Sequence, residues 1–223
     1  DLEGNIYITG KSGNIETKSG DITVIKVNSS GEIIWTLQLP STEFTVNSGT
    51  SIAIDENGFL YVLGYTWNQM STDIVCMKIS SSGEMIWQRL LGETSTFQLP
   101  TALHISESGD ILISGISYQE SNVTYYISKL NSEGSLLWQY IDNEFPTQTW
   151  NEPVAISTDN NNNVIVTGTG FDDGLGSKIV TIKFSSSGSV IWRVLKNKDI
   201  VVDNELIATD IFAKDLVVDE QNN

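Results

Sequence analysis

Lys26-Val-Asn-Ser-Ser-Gly31-Glu-Ile-Ile-Trp35 decides the fold, because it is one of four copies of a single pattern. The others are Lys78-Gly83-Trp87, Lys129-Gly134-Trp138 and Lys183-Gly188-Trp192, with the same internal spacing. Successive tryptophans lie 52, 51 and 54 residues apart. A second pattern keeps that period: Asp1 to Gly10 returns as Asp55 to Gly64, Ser106 to Gly115 and Asp159 to Gly168, and starts again at Asp219. Self-similarity at a period near 50 residues is the signature of a repeat architecture.

Within one repeat the signals are those of strands and tight turns. In the second, 51–54 reads as a strand and Asp55-Glu-Asn-Gly58 as a turn, with the Asp side chain bonding local amides. Residues 60–63, 74–79 and 85–91 supply three more strands, the last two joined by Ser80-Ser-Ser-Gly83. The middle strands are apolar on both faces, as in Ile22 and Val24 against Ile25 and Val27, or Ile179 against Val180, Ile182 and Phe184. A strand covered on one side alternates, whereas one covered on both reads as a continuous apolar run. Four-stranded units stacked face to face meet that condition. The expected fold is therefore all-β, a β-propeller of four-stranded antiparallel blades with repeats of about 50–54 residues. A parallel β-helix is the main rival, and its repeats are usually shorter.

The repeats are placed at about 1–48, 49–98, 99–151 and 152–206, with 207–223 opening a further repeat or supplying a closing strand. The chain is read as one propeller domain or a segment of a longer one. In the closed version, a strand at 215–218 pairs beside 6–9.

Ile52-Ala-Ile-Asp55, Gly4-Asn-Ile-Tyr-Ile-Thr-Gly10 and the Lys26 to Trp35 segment together resemble the bacterial and archaeal SBBP β-propeller repeat family. There is a weaker likeness to quinoprotein-type repeats, whose blades dock through a tryptophan after a glycine turn. The SBBP resemblance implies a secreted or cell-surface prokaryotic propeller, usually without known catalysis, and implies no ligand.

Composition narrows the partners. The chain has 223 residues, 39% of them hydrophobic, with 28 acidic against 12 basic residues and a formal charge of −16. Such a surface repels nucleic acid and anionic membrane. No apolar run reaches the ~18 residues of a membrane helix. Cys76 is the only cysteine, set in the apolar run from Ile74 to Met77, and is expected as a buried hydrophobe.

Trp35, Trp87, Trp138 and Trp192, with Gly31, Gly83, Gly134 and Gly188, recur in register and are read as structural, each tryptophan wedging against an adjoining blade. The motif lysines end buried strands, with their ammonium groups reaching water or a turn. The recurrent aspartates cap turns. Asp159, Asp172 and Asp173 come nearest to a cation loop, though such a loop needs several more converging oxygens. His104 stands on a first strand where other repeats have Ala53 and Ser157, and is taken as structural. One histidine and one cysteine do not make a zinc site of the usual kind. Residues that depart from the repeat are the binding candidates: Tyr65, Trp67 and Asn68; Tyr118 and Gln119; Trp150; and Phe171. Aromatic rings beside amides or acids suit protein or carbohydrate ligands. No cofactor is expected. The expected function is a non-enzymatic propeller module for adhesion, ligand binding or assembly, with self-assembly or flanking blades as further partners. The alternatives are a structural block of a surface or filament assembly and, behind it, a quinoprotein-like or glycan-active enzyme.

Overall fold

In the computed structural model the described residues are 1–14, 19–40, 46–67, 71–92, 97–119, 122–142, 144, 150–172, 176–202 and 205–219. They form strands and turns, and no helix is long and apolar enough to cross a membrane. The chain divides into two compact units, Asp1–Ile105 and Ser106–Asn223.

The first unit holds β1 (Ile6–Asn14), β2 (Ser19–Val27), β3 (Ile33–Leu39), β4 (Val46–Ile54), β5 (Leu60–Trp67), β6 (Thr72–Ile79), β7 (Met85–Leu91) and β8 (Phe97–Ile105). β1, β2 and β3 form an antiparallel meander, and β4 through β7 form another. Single parallel bridges, Gly20 to Val46 and Thr72 to Phe97, join the third-place strand of a repeat to the next first strand. The sheet is therefore mixed, with the antiparallel ladders inside repeats and the parallel contacts between them.

The second unit holds β9 (Ile111–Gln119), β10 (Asn122–Leu130), β11 (Leu136–Ile141), β12 (Trp150–Thr158), β13 (Val164–Asp172), β14 (Gly176–Phe184), β15 (Val190–Lys196), β16 (Lys198–Val202) and β17 (Glu205–Thr209). β12 through β15 repeat the four-strand meander, and β10 bridges β12 through Val123 and Trp150. β16 and β17 make a separate hairpin that the repeat pattern does not announce.

The constant Lys-to-Trp spacing has a geometric cause. Lys26 lies opposite Trp35, Lys78 opposite Trp87, Lys129 opposite Trp138 and Lys183 opposite Trp192. In each hairpin the register shifts immediately after the lysine, a bulge that lets the intervening turn close. That turn is pinned by the glycine N–H donating to the carbonyl three residues back, as in Gly31 to Asn28 and Gly83 to Ser80, both 3.0 Å.

Burial follows the stacking. β6 and β10 are buried along nearly their whole length, whereas β2, in the chain's first meander, alternates buried with partly exposed. Ile22 and Val24 of β2 pack against Leu60 and Val62 of β5 and Val75, Met77 and Ile79 of β6, with Trp35 and Tyr7 at the margin. Neither face could be dry alone, since the core forms only where one meander meets the next.

The stretch 215–218, expected as a strand, is not one; residues 210–219 carry no ladder. Side chains hold the stretch instead. Ile211 N–H donates to Ser177 Oγ (2.6 Å), Ala213 N–H to Thr169 Oγ1 (3.1 Å), and Ser177 N–H to Asp210 Oδ1 (3.1 Å). Ser177 stands six residues before its motif lysine, as do Gly20, Thr72 and Val123. The segment therefore starts at the seat that β4, β8 and β12 use. A closing ladder beside Ile6 has no second strand at 215–218 to run on.

Candidate binding face

Three of the candidate aromatics share one repeat position. Trp67, Tyr118 and Phe171 each lie twelve residues after the turn-opening Asp55, Ser106 and Asp159. In the sequence they look like departures from the repeat, because the recognisable pattern stops at Gly64 and its equivalents. They sit at or next to the ends of β5, β9 and β13.

In the second unit this placement builds a row. Tyr118 pairs with Val123, Val123 bridges Trp150, and Trp150 pairs with Phe171. Residues directly opposite across a ladder share a face. The Tyr118 and Trp150 rings meet edge to face at 6.0 Å, and Phe171 meets Phe212 at 5.8 Å. Phe212, which the sequence did not flag, arrives through the 210–219 segment anchored on Ser177 and Thr169. Val123 is buried, while Trp150 is 43% and Phe212 49% exposed. Glu152, two residues into β12 and on the same face as Trp150, is partly exposed. Lys214 Nζ stands 6.0 Å from the Phe212 ring.

The first unit has a shorter version. Trp67 pairs with Thr72, which bridges Phe97, and the two aromatics are 39% and 40% exposed. Tyr65 is half-buried and pairs with Ser48. Asn68 and Asp173 lie outside the described residues, as do the side chains of Gln119 and Asp172.

The motif tryptophans are placed differently. Trp35 Nε1 donates to Ser81 C=O (3.1 Å), and Lys26 Nζ reaches the same carbonyl (3.3 Å). The ring lies over Gly83, where a Cβ would sit 3.0 Å from Cδ2. Trp138 repeats this on Ser186 C=O (3.1 Å) and Gly188. Trp87 stacks tilted against Tyr61 at 6.1 Å. Trp192 is 40% exposed, so its ring is not wedged as closely as the structural reading expects.

The lysines find carboxylates. Lys183 pairs with Asp159 at 2.8 Å and Lys26 with Asp1 at 3.8 Å. In the third repeat the turn opens with Ser106, and Asp110, at the turn's other end, meets Lys129 at 2.8 Å. Asp159 Oδ1 also accepts from the Asn161 and Asn163 amides, both 2.9 Å, and Oδ2 from Asn163 Nδ2. Burial alone would raise its pKa, but the bonds from Lys183, Asn163 and Asn161 outweigh it and lower it to about 2. Both oxygens are thus engaged in the turn and its lysine. Among the described residues no three His, Cys, Asp or Glu side chains gather as metal ligands.

Two other titratable sites are set by packing. Cys76 is fully buried, which pushes its thiol up to about 12, and burial lowers the pKa of His104. Arg193 of β15 bonds the buried Asp142 carboxylate and Tyr140 Oη (3.2 Å), with Glu144 at 3.4 Å. Burial and Asp142 push Tyr140 up to about 12. This cluster ties the end of β11 to β15.

Comparison with known proteins agrees with this architecture. No curated protein is similar enough in sequence to count as a match. Among solved structures, a protein of unknown function from Bacteroides caccae superposes with a TM-score of 0.51 at 14% identity, covering 90% of this chain and 62% of that one. One from Dyadobacter fermentans DSM 18053 gives 0.57 at 10% identity, covering 90% and 70%. An ulvan lyase, described as a new family of polysaccharide lyase, gives 0.56 at 13%, covering 92% and 57%. At these identities the likeness is one of fold. The chain spans about three fifths of the length of the first of them. Residues 34–69, from the exposed Ile34 through Trp35 and the first turn of the second repeat to just past Trp67, match the SBBP family of beta-propeller repeats.

Proposed function

We propose that this chain is a non-enzymatic β-propeller module of a secreted or cell-surface protein, binding its ligand in the second unit at the strand ends that carry Tyr118, Trp150 and Phe171. The observation that carries the reading is the recurrence of an aromatic at one repeat position, exposed at Trp67 and partly exposed at Tyr118 and Phe171, with the exposed Trp150 beside the last two. A position kept for packing buries its ring fully, whereas Trp67 is exposed and Tyr118 and Phe171 keep part of their surface in solvent. Exposed apolar rows rimmed by polar residues mark interaction sites. The chain is read as one propeller domain or a segment of a longer one, and the acidic surface favours a neutral or cationic partner over nucleic acid.

A glycan-active enzyme is the competing reading, favoured by the fold likeness to a polysaccharide lyase. Catalysis needs an acid and a base within reach of one substrate atom. The aromatic row has Glu152 on its face, while the Tyr140, Asp142 and Arg193 cluster is committed to its own ion pair. Incubating the purified chain with a panel of plant, algal and bacterial polysaccharides tests the choice. The expected outcome is no new reducing ends and no unsaturated uronate. Turnover that survives repurification and is lost on Glu152→Gln would overturn the non-enzymatic reading.

A further inference from the structure

We propose that the row formed by Tyr118, Trp150, Phe171 and Phe212 binds a neutral polysaccharide strand; this rests on the binding-module reading and names its ligand class.

At Phe171 the row can be recognised only through its side-chain face. β13, which carries Phe171, is laddered on both sides by β12 and β14, so it has no main-chain edge to offer an added peptide strand. What the row presents is aromatic: four rings in sequence, with Trp150 and Phe212 exposed and the one aliphatic member, Val123, buried. Aromatic faces carry negative charge density and attract weakly positive C–H groups, and one face of a pyranose ring is a sheet of such groups. The rings are linked pairwise at 6.0 and 5.8 Å with the Trp150 and Phe171 pairing between them. Such a row is extended, suiting a chain of sugars more than a single one.

Charge decides between sugars. Glu152 lies on the row's face, Asp210 is exposed beside its end, and the chain carries −16 overall. Lys214 offers one cation, its Nζ 6.0 Å from the Phe212 ring. A uronate or sulfated chain would meet net repulsion, whereas a neutral chain offers hydroxyls that Glu152 accepts. Phe212 completes the row only because 210–219 is seated on Ser177 and Thr169. That segment therefore belongs to the site.

The test is titration of the whole chain with neutral hexasaccharides of glucose, xylose and mannose, read by calorimetry and tryptophan fluorescence, with polygalacturonate and a lysine-rich peptide alongside. At least one neutral hexasaccharide is expected to bind. Trp150→Ala and Phe212→Ala should each weaken it about tenfold or more, with the thermal midpoint little changed, and Leu137→Ala should leave it unaltered. Binding that survives both aromatic substitutions, or no binding to any neutral hexasaccharide, overturns the proposal. Binding of the lysine-rich peptide in their place overturns the glycan assignment and leaves the binding module standing. Polygalacturonate binding lost with Trp150→Ala overturns the neutral-ligand assignment alone.

Discussion

Replacing Gly188 by alanine tests how successive meanders are joined. Gly188 has φ +90°, and a Cβ there would lie 2.7 Å from Trp138 Cγ and 2.8 Å from Cδ2, with the ring held by its bond to Ser186 C=O. Gly31, at the same repeat position with φ +82°, has nothing within 4 Å of the equivalent point. The left-handed backbone penalises any side chain at either site, by about 1–2 kcal/mol. At Gly188 the methyl must also displace an indole that is bonded on one side and stacked on Phe184 on the other (5.7 Å). Overpacking of that kind costs about 1–3 kcal/mol more. Gly188→Ala should therefore destabilise by about 2–5 kcal/mol and Gly31→Ala by about 1–2. In a Trp138→Ala background the steric part should vanish, so the double-mutant cycle should show coupling of about 1–3 kcal/mol. Urea unfolding at constant m-value measures each corner. Equal destabilisation by the two glycine substitutions, or a cycle that is simply additive, would refute tryptophan-on-turn docking.

Trp35→Ala removes a half-buried ring and its bond to Ser81 and should cost about 2–4 kcal/mol, while Trp67→Ala on the exposed row should cost under about 1; comparable losses in thermal or urea melts would exchange their roles. Asp159 has its pKa lowered from 3.8 to about 2, so its contribution is fully present above pH 3.8 and fades as pH falls through about 2. Asp159→Asn should flatten the stability profile in that window, and an unchanged acid limb would argue against the Lys183 pairing. Cys76, with its thiol pushed up to about 12 inside β6, should resist an aromatic disulfide reagent at pH 8 until the chain is unfolded; prompt labelling of the native protein would contradict its burial.

Much of the fold was legible because the repeat constrains each element four times over. The turns at Gly31, Gly83, Gly134 and Gly188, the buried runs of β6 and β10, and the cap role of Asp55 and Asp159 all follow from local spacing and hydrophobic pattern. The stretch 215–218 misled because strand composition is realised only in a ladder, and there the side chains of Ser177 and Thr169 take the bonds. The β16–β17 hairpin has no counterpart in the other repeats, so periodicity could not foretell it. The proposed binding row is half visible in the sequence. Trp67, Tyr118, Trp150 and Phe171 stand out as aromatics between the patterned segments, but the offset that Trp67, Tyr118 and Phe171 share lies beyond the recognisable pattern. Phe212 and Phe97 were invisible because their exposure depends on where neighbouring strands end.

Three of the recorded ion pairs bring a carboxylate to the motif lysine, yet in the third repeat it comes from Asp110 at the far end of the turn, across from Ser106. The lysine is satisfied by negative charge at a point in space, and two chain positions can place it there. A repeat can then exchange its turn-opening aspartate for serine without stranding a cation, provided the partner position gains the acid first. Copies of one motif are thereby free to drift apart in letters while continuing to fold against one another.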